Sequence, residues 1–347
     1  MTKVIDICIF AHNEEDDICL LLEDICKQTI ITGGSYDVKF TIAANACSDG
    51  TVSLAKAYLS KLEKEKSDCF SVVDLALGGK SRTWNKFTHE LSREEAELLM
   101  YMDGDIRLHD NSVLEKMVVE ISNNDALHLF SSKPVKDVDY YQNATGFVQI
   151  LISKSGGKLT DLKKAVCGSL HIARSNVIRQ IFLPIGLPGE DGFLSAMVKT
   201  NALSEPDNFD RVDGGRDDIF HTYESIGTIS ELIQHQTRLV IGSAVNSALF
   251  RYISENGGTH LQNKAILQES ASDDSWVAEK LKLLLPKAPY GFVPFHFLTK
   301  RISAFLNRNE KKSAKSFLIL AIGVVFDVLV YFKASLKMAS GHGANYW

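Results

Sequence analysis

Apolar positions come in two rhythms along the first 130 residues of the chain. Short continuous apolar runs at 4–10, 38–44, 71–75, 98–102 and 126–130 read as strands buried on both faces. Between them, apolar residues recur at helical spacing: Ile18, Leu21, Leu22 and Ile25; Val52, Ala55, Leu59 and Leu62; Trp84, Phe87 and Leu91; Val113, Leu114, Met117, Val118 and Ile121. This alternation predicts an α/β domain with a mostly parallel sheet flanked by helices. Asn13 and Asn111 stand where N-caps of the first and last of these helices are expected.

The fourth run, Leu98 to Met102, ends abruptly in Asp103-Gly104-Asp105. Two carboxylates two residues apart in extended chain project to one side of a sheet edge, where they suit a hard divalent cation of the Mg²⁺ or Mn²⁺ type. Gly104 has no Cβ, so a phosphate or ribose is expected to approach the backbone there. An ordinary exposed turn has the same composition. In open α/β sheets ligands bind at the carboxyl ends of strands, the edge that also carries the turns after the first two runs.

The middle, 138–200, is less regular. Residues 166–173 read as a strand, and a breaker-rich loop at 183–189 ends in Glu190-Asp191-Gly192 at the mouth of a helix carrying Phe193, Leu194, Met197 and Val198. Two acids at that position also suit the helix dipole. The stretch 204–218, crowded with Asp, Gly and Arg, reads as a loop, and helical patterns resume over 226–249. Tyr140, Tyr141 and Phe147 have the pattern of helix core.

The most apolar run is 317–332. As a helix it reaches about 24 Å at roughly 1.5 Å per residue, short of the roughly 30 Å hydrocarbon layer. Asp327 inside it would cost about 2.5–3.5 kcal/mol at the centre of a bilayer. Basic residues flank it: Lys300, Arg301, Arg308, Lys311, Lys312 and Lys315 before, Lys333 and Lys337 after, with only Glu310 and Asp327 as acids. A peripheral membrane contact through residues 300–340 is the expectation.

A net charge of −5 over 347 residues argues against a nucleic-acid partner. The six cysteines (Cys8, Cys19, Cys26, Cys47, Cys69, Cys167) show no Cys-x-x-Cys spacing, which fits reduced thiols and a cytoplasmic domain. The amino-terminal run reads as a strand rather than a signal peptide, and Asn143-Ala144-Thr145 as a chance match to a glycosylation acceptor.

Taken in order, these motifs resemble the family 2 glycosyltransferases, which have the GT-A fold. The opening Ile9-Phe10-Ala11-His12-Asn13-Glu14-Glu15 is similar to the family's first strand and turn, which surrounds the nucleoside; the resemblance assigns Ala11, Asn13 and Glu14 to the donor. Ala44-Asn45-Ala46-Cys47-Ser48-Asp49-Gly50-Thr51 looks like the second turn, with Ala44 where an acid is common, so Asn45 and Asp49 become the donor candidates. Gly79-Lys80 with Asn85 resembles the element beside the diphosphate, and Asp103-Gly104-Asp105 the Asp-x-Asp metal motif. Gly189-Glu190-Asp191 looks like the pair whose aspartate is the general base. His221 sits where relatives carry a late His, a third metal ligand beside Asp103 and Asp105. His235-Gln236-Thr237-Arg238 resembles a Gln-x-x-Arg-Trp element with His235 for Gln and Leu239 for Trp, a departure that favours transfer of one sugar over processive synthesis. Arg238 is then a donor or acceptor contact, or a partner of Glu231.

The resemblance covers 4–245 and implies a GT-A domain over 1–245, followed by a helical extension over 246–347. It implies an inverting, metal-dependent transfer from a nucleoside-diphosphate sugar to a lipid-linked or saccharide acceptor, at the cytoplasmic face of a membrane. The same acid pair suits a nucleotidyltransferase, and a non-catalytic sugar-nucleotide-binding scaffold would retain the fold.

Overall fold

The computed structural model describes residues 2–142, 166–285, 293–307 and 313–340. Asn143, Phe147, Arg308, Glu310, Lys311 and Lys312 lie outside them.

The main sheet contains β1 (Lys3–Ala11), β2 (Tyr36–Asn45), β3 (Phe70–Leu75), β4 (Leu98–Asp103), β5 (Leu129–Ser131), β7 (Leu170–Arg174) and β8 (Val212–Gly214), in the order β3-β2-β1-β4-β7-β5-β8. β6 (Lys133–Lys136) pairs with β9 (Phe220–Tyr223) in a separate ribbon. Strands β1 to β4 run parallel, whereas β7 is antiparallel to both neighbours. The mostly parallel sheet therefore matches expectation, and the strand predicted over 166–173 begins only at Leu170.

Alternation along β1 and β4 explains the unbroken apolar runs. Ile5, Ile7 and Ile9 join Met100 and Met102 on one face, against α1 (Ile18–Cys26) and α4 (Val113–Ser122). Cys8, Phe10, Leu99 and Tyr101 face the other side, where α5 (Glu190–Lys199) and α6 (Ile229–Asn256) pack.

Helix starts differ from expectation. α1 begins well past Asn13, with Asp17 at its cap, and Asn13 adopts φ +58° to serve another turn. Ser112, not Asn111, caps α4, because Asp110 Oδ1 accepts from the Ser112 amide at 2.8 Å and closes the turn one residue later. The acidic loop at 204–218 contains an edge strand, since β8 pairs parallel with β5.

The division expected at 245/246 falls inside α6. Leu267 of α7 (His260–Ser272), Trp276 of α8 (Trp276–Leu284) and Tyr331, Ala334 and Met338 of α10 (Ala314–Ala339) share one core with Phe193 and Ile241. α10 is also longer than its apolar run: the 24 residues Ser316–Ala339, with a mean hydropathy of 2.2 over their most apolar stretch, are long and apolar enough to cross a membrane. Its Asp327 is paired with Arg301 of α9 (His296–Leu306), Nε to Oδ2 at 2.6 Å and Nη2 to Oδ1 at 2.9 Å. The length and lone-acid objections to spanning therefore both lapse. Packing against the protein core is confined to the carboxyl-terminal part of α10, at Val330, Tyr331, Ala334, Ser335 and Met338, and only 17% of its most apolar stretch is buried.

Candidate active site

The strand order reverses direction between β1 and β4, so their carboxyl ends open a crevice at the topological switch point. Phe10 is in register with Asp103, and Ala11 with Ala44. Packing at this junction also calls for a glycine at 104. A Cβ there would lie 2.9 Å from the Phe10 carbonyl oxygen, 3.2 Å from Glu14 Cγ and 3.4 Å from Ala11 Cα. The missing side chain lets the ends of β1 and β4 close on each other.

The turns after β1 and β2 are laced together. Asn13 Oδ1 accepts from the Ser48 amide at 2.8 Å, and Glu15 Oε2 from the Gly50 amide at 2.8 Å. The Glu14 amide donates to Thr51 Oγ1 at 2.7 Å. Asp49 Oδ1 accepts from the Thr51 hydroxyl at 2.6 Å and Oδ2 from the Glu15 amide at 3.1 Å. These bonds hold the Asp49 carboxyl below its usual range against the effect of burial. Asn13 and Asp49 thus brace the turns instead of presenting free side chains to a donor, and Ala11 is fully buried. Asn45 differs: its Oδ1 is buried without a donor near Gly78, and its carbonyl oxygen holds His12 Nδ1 at 2.6 Å.

Lys80 opens α3 (Lys80–Lys86), with Gly79 before it at φ +118°, a conformation that favours glycine. Its Nζ lies 2.6 Å from Asp103 Oδ1, 3.4 Å from Glu190 Oε1 and 5.6 Å from the Phe10 ring centroid. Burial disfavours the ammonium, but Asp103 and Glu190 outweigh it and raise its pKa. The acids remain in excess. Burial, then Asp105, Asp17 and Asp103, push Glu14 up to about 8. Burial likewise pushes Asp103 up to about 6 despite Lys80, with Asp105 adding to the rise. Asp105 is raised too, again chiefly by burial.

Asn85 does not reach toward a diphosphate. Its Nδ2 donates to the Leu183 carbonyl at 2.7 Å and its Oδ1 accepts from the Leu183 amide at 2.9 Å. Both side-chain atoms are spent anchoring the loop that delivers Glu190 and Asp191. Burial and Glu190 raise the Asp191 pKa, and the Lys80 and Arg238 charges offset part of the rise.

Three residues that frame Asp191 were missed in the sequence. A Cβ on Gly168 would stand 3.2 Å from Asp191 Cβ. A Cβ on Gly189 would stand 3.1 Å from Gly242 Cα on α6, and Asn246 Nδ2 donates to the Gly189 carbonyl at 2.8 Å. The available signal was Gly242, a glycine isolated within a helical pattern.

His221 is fully buried, with Nε2 at 2.7 Å from Ser169 Oγ and Nδ1 at 3.0 Å from Ser132 Oγ. Both ring nitrogens are engaged, so this geometry does not present His221 as the third metal ligand. Among the described residues no group of three or more His, Cys, Asp or Glu could hold a metal ion. Two carboxylates with substrate phosphates nevertheless match how Mg²⁺ is usually bound, and the acid excess fits a divalent cation. Glu231 closes the capping box of α6, while the charge of Arg238 acts on Asp191. Tyr140 and Tyr141 are exposed, contrary to the expected helix core; Tyr140 stacks on His109 at 4.1 Å.

A mostly parallel sheet with acids, lysine and glycine turns gathered at its switch point defines a GT-A glycosyltransferase. Residues 6–182 match the family model described as "Glycosyl transferase family 2", half of the chain, and the protein belongs to that family. Among solved structures it is similar to the mannosyltransferase PcManGT from Pyrobaculum calidifontis in complex with GDP-Man and Mn²⁺: 14% identity, TM-score 0.54, covering 97% of this chain and 86% of that one. S. aureus TarS in complex with UDP-GlcNAc aligns at 13% identity and TM-score 0.46, over 97% of this chain and 92% of that one. At these identities the likeness is one of fold. No curated protein matches the chain.

Proposed function

We propose that the protein is an inverting, metal-dependent glycosyltransferase that moves one sugar from a nucleoside-diphosphate sugar to an acceptor hydroxyl. The observation that carries this reading is the Lys80 bridge, 2.6 Å to Asp103 and 3.4 Å to Glu190, which joins the Asp-x-Asp edge to the helix start bearing Asp191. Asn45, with its buried acceptor oxygen lacking a donor, is suited to a base or ribose N–H or O–H. Lys80 places a fixed positive charge beside the diphosphate. Asp103 and Asp105 are the residues that would hold a divalent cation here, and it would supply further electrostatic stabilisation of the leaving group.

The acceptor hydroxyl oxygen attacks the anomeric carbon as the carbon–diphosphate oxygen bond breaks. The hydroxyl proton passes to Asp191, and the electron pair departs with the nucleoside diphosphate. One displacement inverts the anomeric centre. Glu190 keeps Lys80 in place and holds the Asp191 pKa up.

The acceptor in this reading is lipid-linked or a saccharide, met at the cytoplasmic surface of a membrane through residues 300–340. Leu318, Ile322, Val325, Leu329 and Leu336 form an exposed stripe along α10, while Val330, Tyr331, Ala334 and Met338 face the core. A helix with one face built into the protein and the other open and apolar suits lying on a bilayer.

A panel of nucleotide sugars with Mn²⁺ or Mg²⁺, scored by thermal shift and slow donor hydrolysis, tests the donor and metal without an acceptor. Asp191→Asn should keep the donor-induced shift and lose about 10²-fold or more in turnover, the usual contribution of a positioned base. Undiminished turnover in that variant removes Asp191 from the role.

A further inference from the structure

A groove of about 630 Å³ lies between α6, α9 and α10, a size within the roughly 300–1,000 Å³ typical of small-molecule sites. Leu239, Val240, Phe297, Phe305, Leu320 and Val330 supply its apolar lining; Lys300 supplies its positive charge, since Arg301 is paired with Asp327, which also lines the groove. On α6 the lining residues Gln236, Leu239, Val240 and Ser243 follow i, i+3, i+4, i+7 spacing and so share one face.

An adjacent face of the same helix, at the same level, carries Arg238, Gly242 and Asn246. Arg238 acts on Asp191, Gly242 abuts Gly189, and Asn246 holds the Gly189 carbonyl. The groove and the loop bearing the base are thus separated by no more than one helix thickness, about 10–12 Å. On its far side the groove is walled by α10, whose outer stripe is exposed and apolar.

We propose that this groove takes the hydrocarbon tail of a lipid acceptor, admitted past α10 from the bilayer surface, with the head-group hydroxyl reaching over α6 to Asp191. The proposal rests on the membrane-surface reading above and specifies its substrate class. Continuity with the catalytic loop selects the occupant. A tail seated here brings its head within reach of Asp191, and the exposed Lys300 is suited to a phosphate at the head.

The test uses the full chain with a photoreactive long-chain alkyl phosphate, followed by mapping of the adducts. Adducts are expected at Leu239, Val240, Phe297, Phe305 or Val330, displaced by dodecyl phosphate and by dodecanol but not by butyl phosphate. Leu239 and Ser243 are exposed, so Leu239→Trp and Ser243→Trp fill the groove without entering the core, and melting temperature verifies the fold. Each should lower groove labelling about ten-fold, equivalent to roughly 1.4 kcal/mol, while flotation with anionic vesicles persists. Labelling confined to the outer stripe of α10, or groove labelling unchanged by both variants, overturns the proposal. Groove labelling that survives a failed flotation supports the groove and removes the membrane-surface reading instead.

Discussion

Gly104→Ala separates two explanations of the glycine between the paired acids. If Gly104 lets phosphate or ribose approach, alanine leaves the ligand-free protein at least as stable as the parent. Its φ is not positive, so the substitution should even gain about 0.4–1 kcal/mol from the unfolded chain. The structure predicts the opposite sign. The added Cβ meets the Phe10 carbonyl oxygen at 2.9 Å, a backbone atom that cannot swing aside, along with Glu14 Cγ at 3.2 Å and Ala11 Cα at 3.4 Å. Overpacking of this kind costs about 1–3 kcal/mol, so after the chain-entropy gain the net loss is at most about 2.6 kcal/mol and about 1.3 kcal/mol at the midpoints. At roughly 2.1 cal/mol/K per residue, the 347-residue chain has an unfolding entropy near 0.7 kcal/mol/K. The melting temperature should therefore fall by about 2 °C without any ligand. Spreading β1 from β4 should also displace Asp103 and weaken the Mn²⁺-induced thermal shift. A variant that melts at or above the parent temperature, with only its donor response lost, refutes the packing explanation.

Three further outcomes follow from the same geometry. Asp191 acts ionised, and burial and Glu190 raise its pKa, so the acid limb of the rate profile should lie above the ordinary carboxylate range. Glu190→Gln removes one of those causes and should move the limb to lower pH; an unmoved limb contradicts the assignment. Burial depresses His171 and His221 from 6.5 to about 3, so the fold prefers both neutral. Their stabilisation is complete above the unfolded value of 6.5 and is lost as pH falls toward 3, by about 1.4 kcal/mol per pH unit for each. Urea midpoints that stay flat across that window would contradict it. On α10, Ile322→Glu with Val325→Glu should reduce partition onto anionic vesicles about thirty-fold or more, since each of these exposed apolar side chains would contribute roughly 1 kcal/mol by half-burying in the bilayer. Unchanged flotation argues that this stripe faces something other than lipid.

The strands, the sheet class and the acids at its edge were legible because each rests on short-range pattern. A strand buried on both faces must be apolar throughout, and a run that stops at Asp103 marks where burial stops. Side chains whose roles depend on distant partners were not legible. Asn85 has the residue type of a phosphate contact, yet both its polar atoms hold Leu183, 98 positions away. Asp49 has the chemistry of a ribose contact and is spent on Glu15 and Thr51. His221 could be placed near the metal motif by order alone, but not provided with the two serines that occupy its ring.

The carboxyl-terminal helices show the same division. Composition already established α10 as apolar with basic flanks. Only packing decided that one of its faces completes the catalytic core, that Asp327 meets Arg301, and that a groove remains between α9, α10 and the helix behind Asp191. Periodicity determines which residues must leave water, because that requirement is local to each element. Which polar groups remain available for chemistry depends on the hydrogen bonds and close approaches that assembly consumes, and those exist only once distant segments meet.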